Sequence, residues 1–130
     1  GDFAGALSEA DKAVATDSKN IYTYLNRADI YHMQGDLDKA LSDLAKAKEI
    51  DKNNAIAYYL AAVIEDEQGN SAAAKTDFAE LYRLQPKAVS KIPDEYLQDI
   101  APKEYKSRQE QKAKARKKYA EEWKKNHKDK

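Results

Sequence analysis

Apolar residues recur at helical spacing along most of the first 88 positions. In segment 21–33 they follow one another at intervals of one to four residues, and segment 37–50 behaves in the same way. The first set is Ile21, Tyr24, Leu25, Ala28 and Tyr31, and the second is Leu37, Ala40, Leu41, Leu44, Ala47 and Ile50. Such spacing is typical of amphipathic helices. Gln34, Gly35 and Asp36 interrupt it, so we predict two helices joined by a tight turn.

This helical hairpin repeats at an offset of 34 residues. Gly35-Asp36 returns as Gly69-Asn70 and is preceded by Gly1-Asp2. Other aligned sets are Ala6, Ala40 and Ala74; Ser8, Ser42 and Thr76; Glu9, Asp43 and Asp77; Tyr24 and Tyr58; and Ala28 and Ala62. A fixed period indicates a repeat architecture. We therefore predict full repeats at 21–54 and 55–88, preceded by a half repeat at 1–20.

Two residue types define the predicted hairpins more closely. Asn20 and Asn54 precede the first helix of each full repeat and are predicted N-caps. Small residues recur where paired helices must cross closely, because a larger side chain there costs about 1–3 kcal/mol through overpacking. These are Ala28, Ala40, Ala62 and Ala74.

The repeats resemble the tetratricopeptide repeat family, and specifically a fragment of a bacterial-type member. The matching residues are Tyr24, Ala28, Tyr31, Ala40 and Leu44 in one repeat and Tyr58, Ala62, Ala74, Phe78 and Pro86 in the next. The chain departs from the family at Arg27, Lys52 and Glu65, where Leu, Pro and Tyr are usual. The resemblance implies an all-α fold, a right-handed α-solenoid of about 2.5 repeats. It also implies that the first helix of the opening repeat lies upstream of Gly1.

Residues 89–102 are predicted to cap the repeat array 1–88. A short helix is expected from Asp94 to Ile100, between Pro93 and Pro102. Val89, Ile92, Tyr96, Leu97 and Ile100 are its apolar residues. A solenoid needs such a terminal element to shield the apolar edge of its last repeat.

The remaining segment, 103–130, differs sharply in charge. Residues 1–102 hold 11 Lys/Arg and 18 Asp/Glu, whereas residues 103–130 hold 12 and 5, so formal charges of −7 and +7 cancel. Good helix formers dominate the segment, which predicts a long basic helix. Ala115, Tyr119 and Trp123 share one face. We expect this helix either to be solvated or to dock through Tyr119 and Trp123, on the repeats or on a second copy.

The family resemblance also implies a function: the first helix of each repeat lines a concave groove that binds a peptide or protein segment. The implied groove residues are Tyr22, Leu25, Asn26, Asp29, His32, Met33, Ile56, Tyr59, Leu60, Val63, Asp66 and Glu67. This groove is apolar at its centre and acidic at one edge, so a basic or neutral amphipathic segment should fit it. Coverage of its second half by a following helix remains the alternative.

Some family members hold a terminal carboxylate with a clamp of Lys, Arg and Asn. Asn26 matches one clamp residue, but the basic positions carry Tyr22, Asp29, Ile56 and Leu60. The sequence therefore does not predict a receptor for chaperone tails.

The composition argues against several other classes of protein. The absence of Cys excludes disulfides, thiolate metal sites and a Cys nucleophile. Asp29 and His32 lie one turn apart, and Asp66 could join them at a metal, but no nucleophile accompanies them. We predict no catalytic residue, no metal and no cofactor. No run of about 18 apolar residues exists, so no membrane span is expected.

The main functional prediction is a non-catalytic scaffold for protein–protein interaction. A first alternative is nucleic-acid binding by the basic helix, since cations beside aromatic rings suit single-stranded nucleic acid. The residues concerned are Lys112, Lys114, Arg116, Lys117, Lys118, Tyr119 and Trp123. A second alternative is self-association, with the basic segment of one chain in the groove of another.

Overall fold

The computed structural model describes residues 2–128, and all regular secondary structure in that range is helical. The helices are α1 (Phe3–Thr16), α2 (Ile21–Gln34), α3 (Leu37–Ile50), α4 (Ala55–Glu67), α5 (Ser71–Leu84), α6 (Asp94–Ile100) and α7 (Pro102–His127), with a 3₁₀ turn at Pro86–Lys91. The predicted all-α repeat fold is confirmed. Gly1 of the predicted Gly1-Asp2 turn and the last two residues of segment 103–130 lie outside the described residues.

The chain divides after residue 88 into two compact units. In the first unit each of the five helices packs on the next, from α1 to α5. The pairs α2–α3 and α4–α5 are the predicted hairpins of the two full repeats. Helix α1 packs on α2; that it belongs to a half repeat stays a prediction.

Local sequence signals begin and end these helices as predicted. The side chain of Asn20 accepts a hydrogen bond from the backbone N–H of Tyr22 at 3.0 Å, and that of Asn54 accepts one from Ala57 at 3.2 Å. Gly35 ends α2 with a φ of 83°, a left-handed conformation that residues with a Cβ rarely adopt. Gly69 repeats this geometry after α4.

Small and large apolar residues alternate in the core of the first unit. All four alanines predicted at the helix crossings are buried, and they let the paired helices approach closely. Leu44 and Phe78, at equivalent positions of α3 and α5, are among the largest fully buried side chains. Filling a core with interdigitating side chains of this kind is what holds a repeat array together.

In the second unit, α7 packs on α6. Helix α7 begins at Pro102, because a proline in the first helical position loses no backbone hydrogen bond. Asp94, at the start of α6, accepts hydrogen bonds from Arg108 at 2.8 Å and from Gln109 at 3.0 Å, and it pairs with Lys112 at 2.6 Å. The three partners hold the pKa of Asp94 well below its usual range. The predicted capping role of 89–102 stays a prediction.

Candidate functional site

The first helices of the two full repeats, α2 and α4, present side chains at intervals of three or four residues on one face of each helix. We call this surface the A-helix face. On α2 it consists of Tyr22, Asn26, Asp29 and Met33, and on α4 of the equivalent Ile56, Leu60, Val63 and Glu67. All four α2 residues are exposed, as are Ile56 and Glu67. This face contains most of the groove residues that the sequence implies.

Burial separates the predicted groove residues into two groups. Tyr22 and Ile56 are 67% and 53% exposed, and Met33 is also exposed. Leu25 is only 8% exposed and belongs to the core cluster, so it offers little surface to a partner. Tyr59, Leu60 and Val63 are half-buried, and Leu60 packs against that core. The accessible apolar area therefore rests on Tyr22, Met33 and Ile56.

His32 connects the two halves of this surface. Its Nε2 lies 2.8 Å and 3.0 Å from the two carboxylate oxygens of Glu67. The sequence placed Asp29 one turn from His32, but the hydrogen-bonding partner is a carboxylate 35 residues further on. The contact joins α2 to α4, so it brings the first helices of adjacent repeats side by side.

The charge of the A-helix face is one-sided. Asp29, Asp66 and Glu67 are all exposed, whereas neither this face nor the other groove positions carry a Lys or Arg. Arg27, the one such residue of α2, pairs with two carboxylates on α1 and α3. The A-helix face consequently carries apolar and acidic side chains, and its role as a binding groove stays a prediction.

Arg27 forms an ion pair with Asp43, whose burial the sequence pattern does not predict. Its Nε and one terminal nitrogen donate to Asp43 at 2.8 Å and 2.7 Å, and its other terminal nitrogen donates to Asp11 at 3.1 Å. Asp43 is 5% exposed, so a cation is needed beside it. The hydrogen bonds that Arg27 donates to Asp43 and Asp11 raise the pKa of its guanidinium still further. One side chain thus ties α2 to both α1 and α3.

The equivalent carboxylate of the next repeat is Asp77, and it has a different set of partners. Lys48 of α3 donates to Asp77 at 2.9 Å, and Glu65 of α4 is hydrogen-bonded to it as well. Burial and Asp77 together raise the pKa of Glu65 to about 8. One Glu65 oxygen, Oε1, is buried without a hydrogen-bonding partner among the described residues. Burial and Asp77 therefore both favour the protonated form of Glu65.

Helix α7 carries the predicted basic residues on an exposed surface. Lys114, Arg116, Lys117 and Lys118 are exposed, and Lys112 pairs with Asp94. Tyr119 and Trp123 are 69% and 52% exposed, and the Trp123 ring stacks on His127 with centroids 4.4 Å apart. The predicted docking of Tyr119 and Trp123 stays a prediction.

Two further features concern metal binding and membrane crossing within residues 2–128. No group of three or more His, Asp or Glu side chains in that range could hold a metal ion. Each helix in it is too short or too polar to cross a lipid bilayer.

Comparison with known families identifies the repeats. A family model described as tetratricopeptide repeat matches residues 21–54, and a second model of the same description matches residues 55–88. No curated protein matches the chain. Tetratricopeptide repeats are in general non-catalytic modules for protein–protein interaction. Because the two matches are adjacent and together span more than half of the chain, the protein belongs to the tetratricopeptide repeat family.

Proposed function

We propose that the protein is a non-enzymatic scaffold whose A-helix face binds a segment of another protein. The observation that carries this proposal is the exposure of Tyr22 and Ile56 at equivalent positions of adjacent repeats. Exposed apolar side chains that recur on one face, as these do, form the kind of patch that marks an interaction surface. Tyrosine is also among the residue types that contribute most to binding energy.

The charge of the surface defines the preferred segment. Asp29 on α2 and Glu67 on α4 lie beside the apolar residues, with no Lys or Arg on the same face. A basic segment would gain favourable contacts there, whereas an acidic one would be repelled. We expect an amphipathic helix or extended peptide with a basic polar face and one or two large apolar anchors.

A displayed-peptide experiment tests this function. The probe is a library of amphipathic helical peptides, half with a basic polar face and half with an acidic one, selected on the full chain. We expect enrichment of basic peptides and its loss in the variant Tyr22→Ala/Ile56→Ala. Lys46→Ala/Glu49→Ala is the matched control, because it removes two exposed side chains of α3, outside the A-helix face, without changing the net charge.

Two outcomes of the peptide selection would contradict the proposal. Equal enrichment of acidic and basic peptides would contradict the charge argument. Unchanged enrichment on the double variant, with wild-type circular dichroism, would show that the peptides bind elsewhere. Tyr59 and Leu60 are poorer choices for substitution because both are half-buried, and their loss would also disturb packing.

The second candidate function is binding of a polyanion such as nucleic acid by α7. It is favoured by the exposure of Lys114, Arg116, Lys117 and Lys118 close to two aromatic rings. Its signature is an affinity for a single-stranded oligonucleotide that falls steeply as salt is raised. Replacing these four residues by Gln should abolish that binding.

A further inference from the structure

The face of α7 that contacts the rest of its unit continues along the helix as a row of side chains that are exposed to solvent. Tyr105, Arg108 and Lys112 follow one another at intervals of three or four residues, and Tyr119 and Trp123 continue the same series. In the first half of the helix this face contacts the segment before α6. Arg108 donates to the backbone carbonyl oxygens of Ile92 and Val89 at 2.7 Å and 2.6 Å.

The second half of the same face is exposed. Every residue from 110 to 128 lies in contact with water in the described chain, including the two aromatic rings. Helix α7 has 26 residues and no buried side chain. A helix this polar gains little from folding alone, and its stability generally comes from packing one face on a partner. We call the residues Tyr119 and Trp123, with Ala115 one turn before them, the aromatic stripe.

The segment that carries the aromatic stripe is strongly basic, and Arg116 and Lys118 are its cations nearest to the stripe on either side. Between residues 113 and 128 there are 7 Lys/Arg and 2 Asp/Glu. The segment therefore has the chemistry that the A-helix face requires: large apolar anchors on one side of a helix and cations around them. The A-helix face supplies the complement, with exposed Tyr22 and Ile56 beside carboxylates.

The dimensions agree with this pairing. A helical segment of the 15 residues 113–127 is about 22 Å long, at about 1.5 Å per residue. Neighbouring helices pack about 8–10 Å apart, so a helix lying across α2 and α4 must cover about 20 Å. One stretch of α7 can thus contact both helices of the A-helix face at once.

We propose that the aromatic stripe of α7 in one copy of the chain binds the A-helix face of a second copy, giving a reciprocal dimer. This inference rests on the proposed function, because it assigns an occupant to the same surface. A two-fold arrangement uses both complementary surfaces twice and leaves neither exposed.

The single tryptophan makes the proposal directly measurable. Trp123 is the only Trp of the chain, so its emission reports on the aromatic stripe alone. On raising the concentration of the full chain at low salt, we expect a blue shift of the emission. Light scattering should show the mass rising towards twice 14.7 kDa over the same range. Added salt should reverse both changes by screening the charges.

Two variants locate the contact. Ile56→Lys places a cation on the A-helix face and keeps Trp123, whereas Tyr119→Ala/Trp123→Ala removes the aromatic stripe and all tryptophan emission. Each alone should dimerise at least tenfold more weakly than the wild type. When they are mixed, one intact stripe meets one intact face, so the emission of the first variant should shift to the blue. Ala45→Lys, at an exposed position of α3, is the control for the added charge.

Several outcomes would overturn the inference. One is a chain that stays monomeric at every concentration with unshifted emission. Another is a dimer that tolerates Ile56→Lys, which would mean that α7 pairs with α7. A mixture without a shift would mean that the aromatic stripe does not bind the A-helix face. A shift seen only with a single-stranded oligonucleotide would assign the stripe to nucleic acid. If displayed peptides still bind the A-helix face of a monomeric chain, the proposed function stands and this inference alone fails.

Discussion

Glu65 makes the stability of the first unit depend on pH around neutrality. Its carboxyl group lies between α4 and α5, where it is hydrogen-bonded to Asp77, and its Oε1 is buried without a partner among the described residues. Ionising it would place a second negative charge beside Asp77 and leave that oxygen without water. Lys48 offsets only part of this cost. These effects raise the pKa of Glu65 from 4.5 to about 8.

The direction of the pH effect follows from proton binding. Between pH 4.5 and about 8 the folded chain keeps the Glu65 proton, whereas the unfolded chain has lost it. The folded state therefore binds more protons, and the free energy of unfolding falls as the pH rises through this range, then levels off. A difference of one bound proton between the two states gives a slope of about 1.4 kcal/mol per pH unit. Because water screens the half-buried side chain, we expect a total loss of about 1–2 kcal/mol.

The variant Glu65→Gln isolates this effect. Its amide can still donate to Asp77, but it cannot ionise. At about pH 5 the variant should be as stable as the wild type, and at about pH 9 it should be more stable by about 1–2 kcal/mol. Urea denaturation followed by circular dichroism measures both free energies.

Taking the difference between variant and wild type cancels the other titrating groups. Glu121→Gln is the matched control: Glu121 is exposed on α7, so its substitution should leave the pH profile unchanged. If the stability difference between Glu65→Gln and the wild type is the same at both pH values, Glu65 is already ionised at neutrality. That result would refute the reasoning.

Four further substitutions test other contacts. Arg27→Ala should cost about 3–5 kcal/mol in urea denaturation, because it leaves the buried Asp43 unpaired; a cost below 1 kcal/mol would contradict this. Because its contacts lower the pKa of Asp94 below 3.8, ionised Asp94 stabilises α7, and this stabilisation is lost as the pH falls below 3.8. We therefore expect protection of α7 from hydrogen exchange to fall in the wild type over this acidic range, and Asp94→Asn should show no such change. Gly35→Ala should lower stability by about 1 kcal/mol through its positive φ. Leu44→Ala should cost about 2–5 kcal/mol by opening a cavity, and a smaller change in denaturation midpoint would indicate a core that collapses around it.

The repeat pattern predicts the helices because each hairpin is specified locally. An Asn before the first helix, a Gly after it and alanines at the crossing act within about 20 residues of one another in the chain. The structure places them as predicted, with Asn20 and Asn54 as caps and Gly35 in a left-handed conformation. The exposed part of the A-helix face follows from the same periodicity, because residues equivalent by 34 positions occupy equivalent surfaces.

Contacts between repeats were harder to predict, because they join residues that are not equivalent. Asp29 lies one turn from His32 in sequence, yet the carboxylate that His32 contacts is Glu67 in the next repeat. Leu25 lies at a groove position in sequence, but it packs into the core since α2 is covered on that side. Periodicity assigns a residue to a face of its helix, and the neighbouring helix decides how much of that face remains exposed.

The buried carboxylates show this most clearly. Asp43 and Asp77 occupy the same position of successive repeats, but the residue equivalent to Arg27 is Ala61, which cannot neutralise Asp77. Lys48 of the preceding repeat and the proton of Glu65 replace it.

Two of the departures from the family pattern, Arg27 and Glu65, are thus the residues that satisfy these carboxylates. Since Lys48 reaches Asp77 from α3, the second solution also joins one repeat to the next. The two repeats share a backbone pattern but depend on different neighbours, so exchanging their order would separate Asp77 from Lys48.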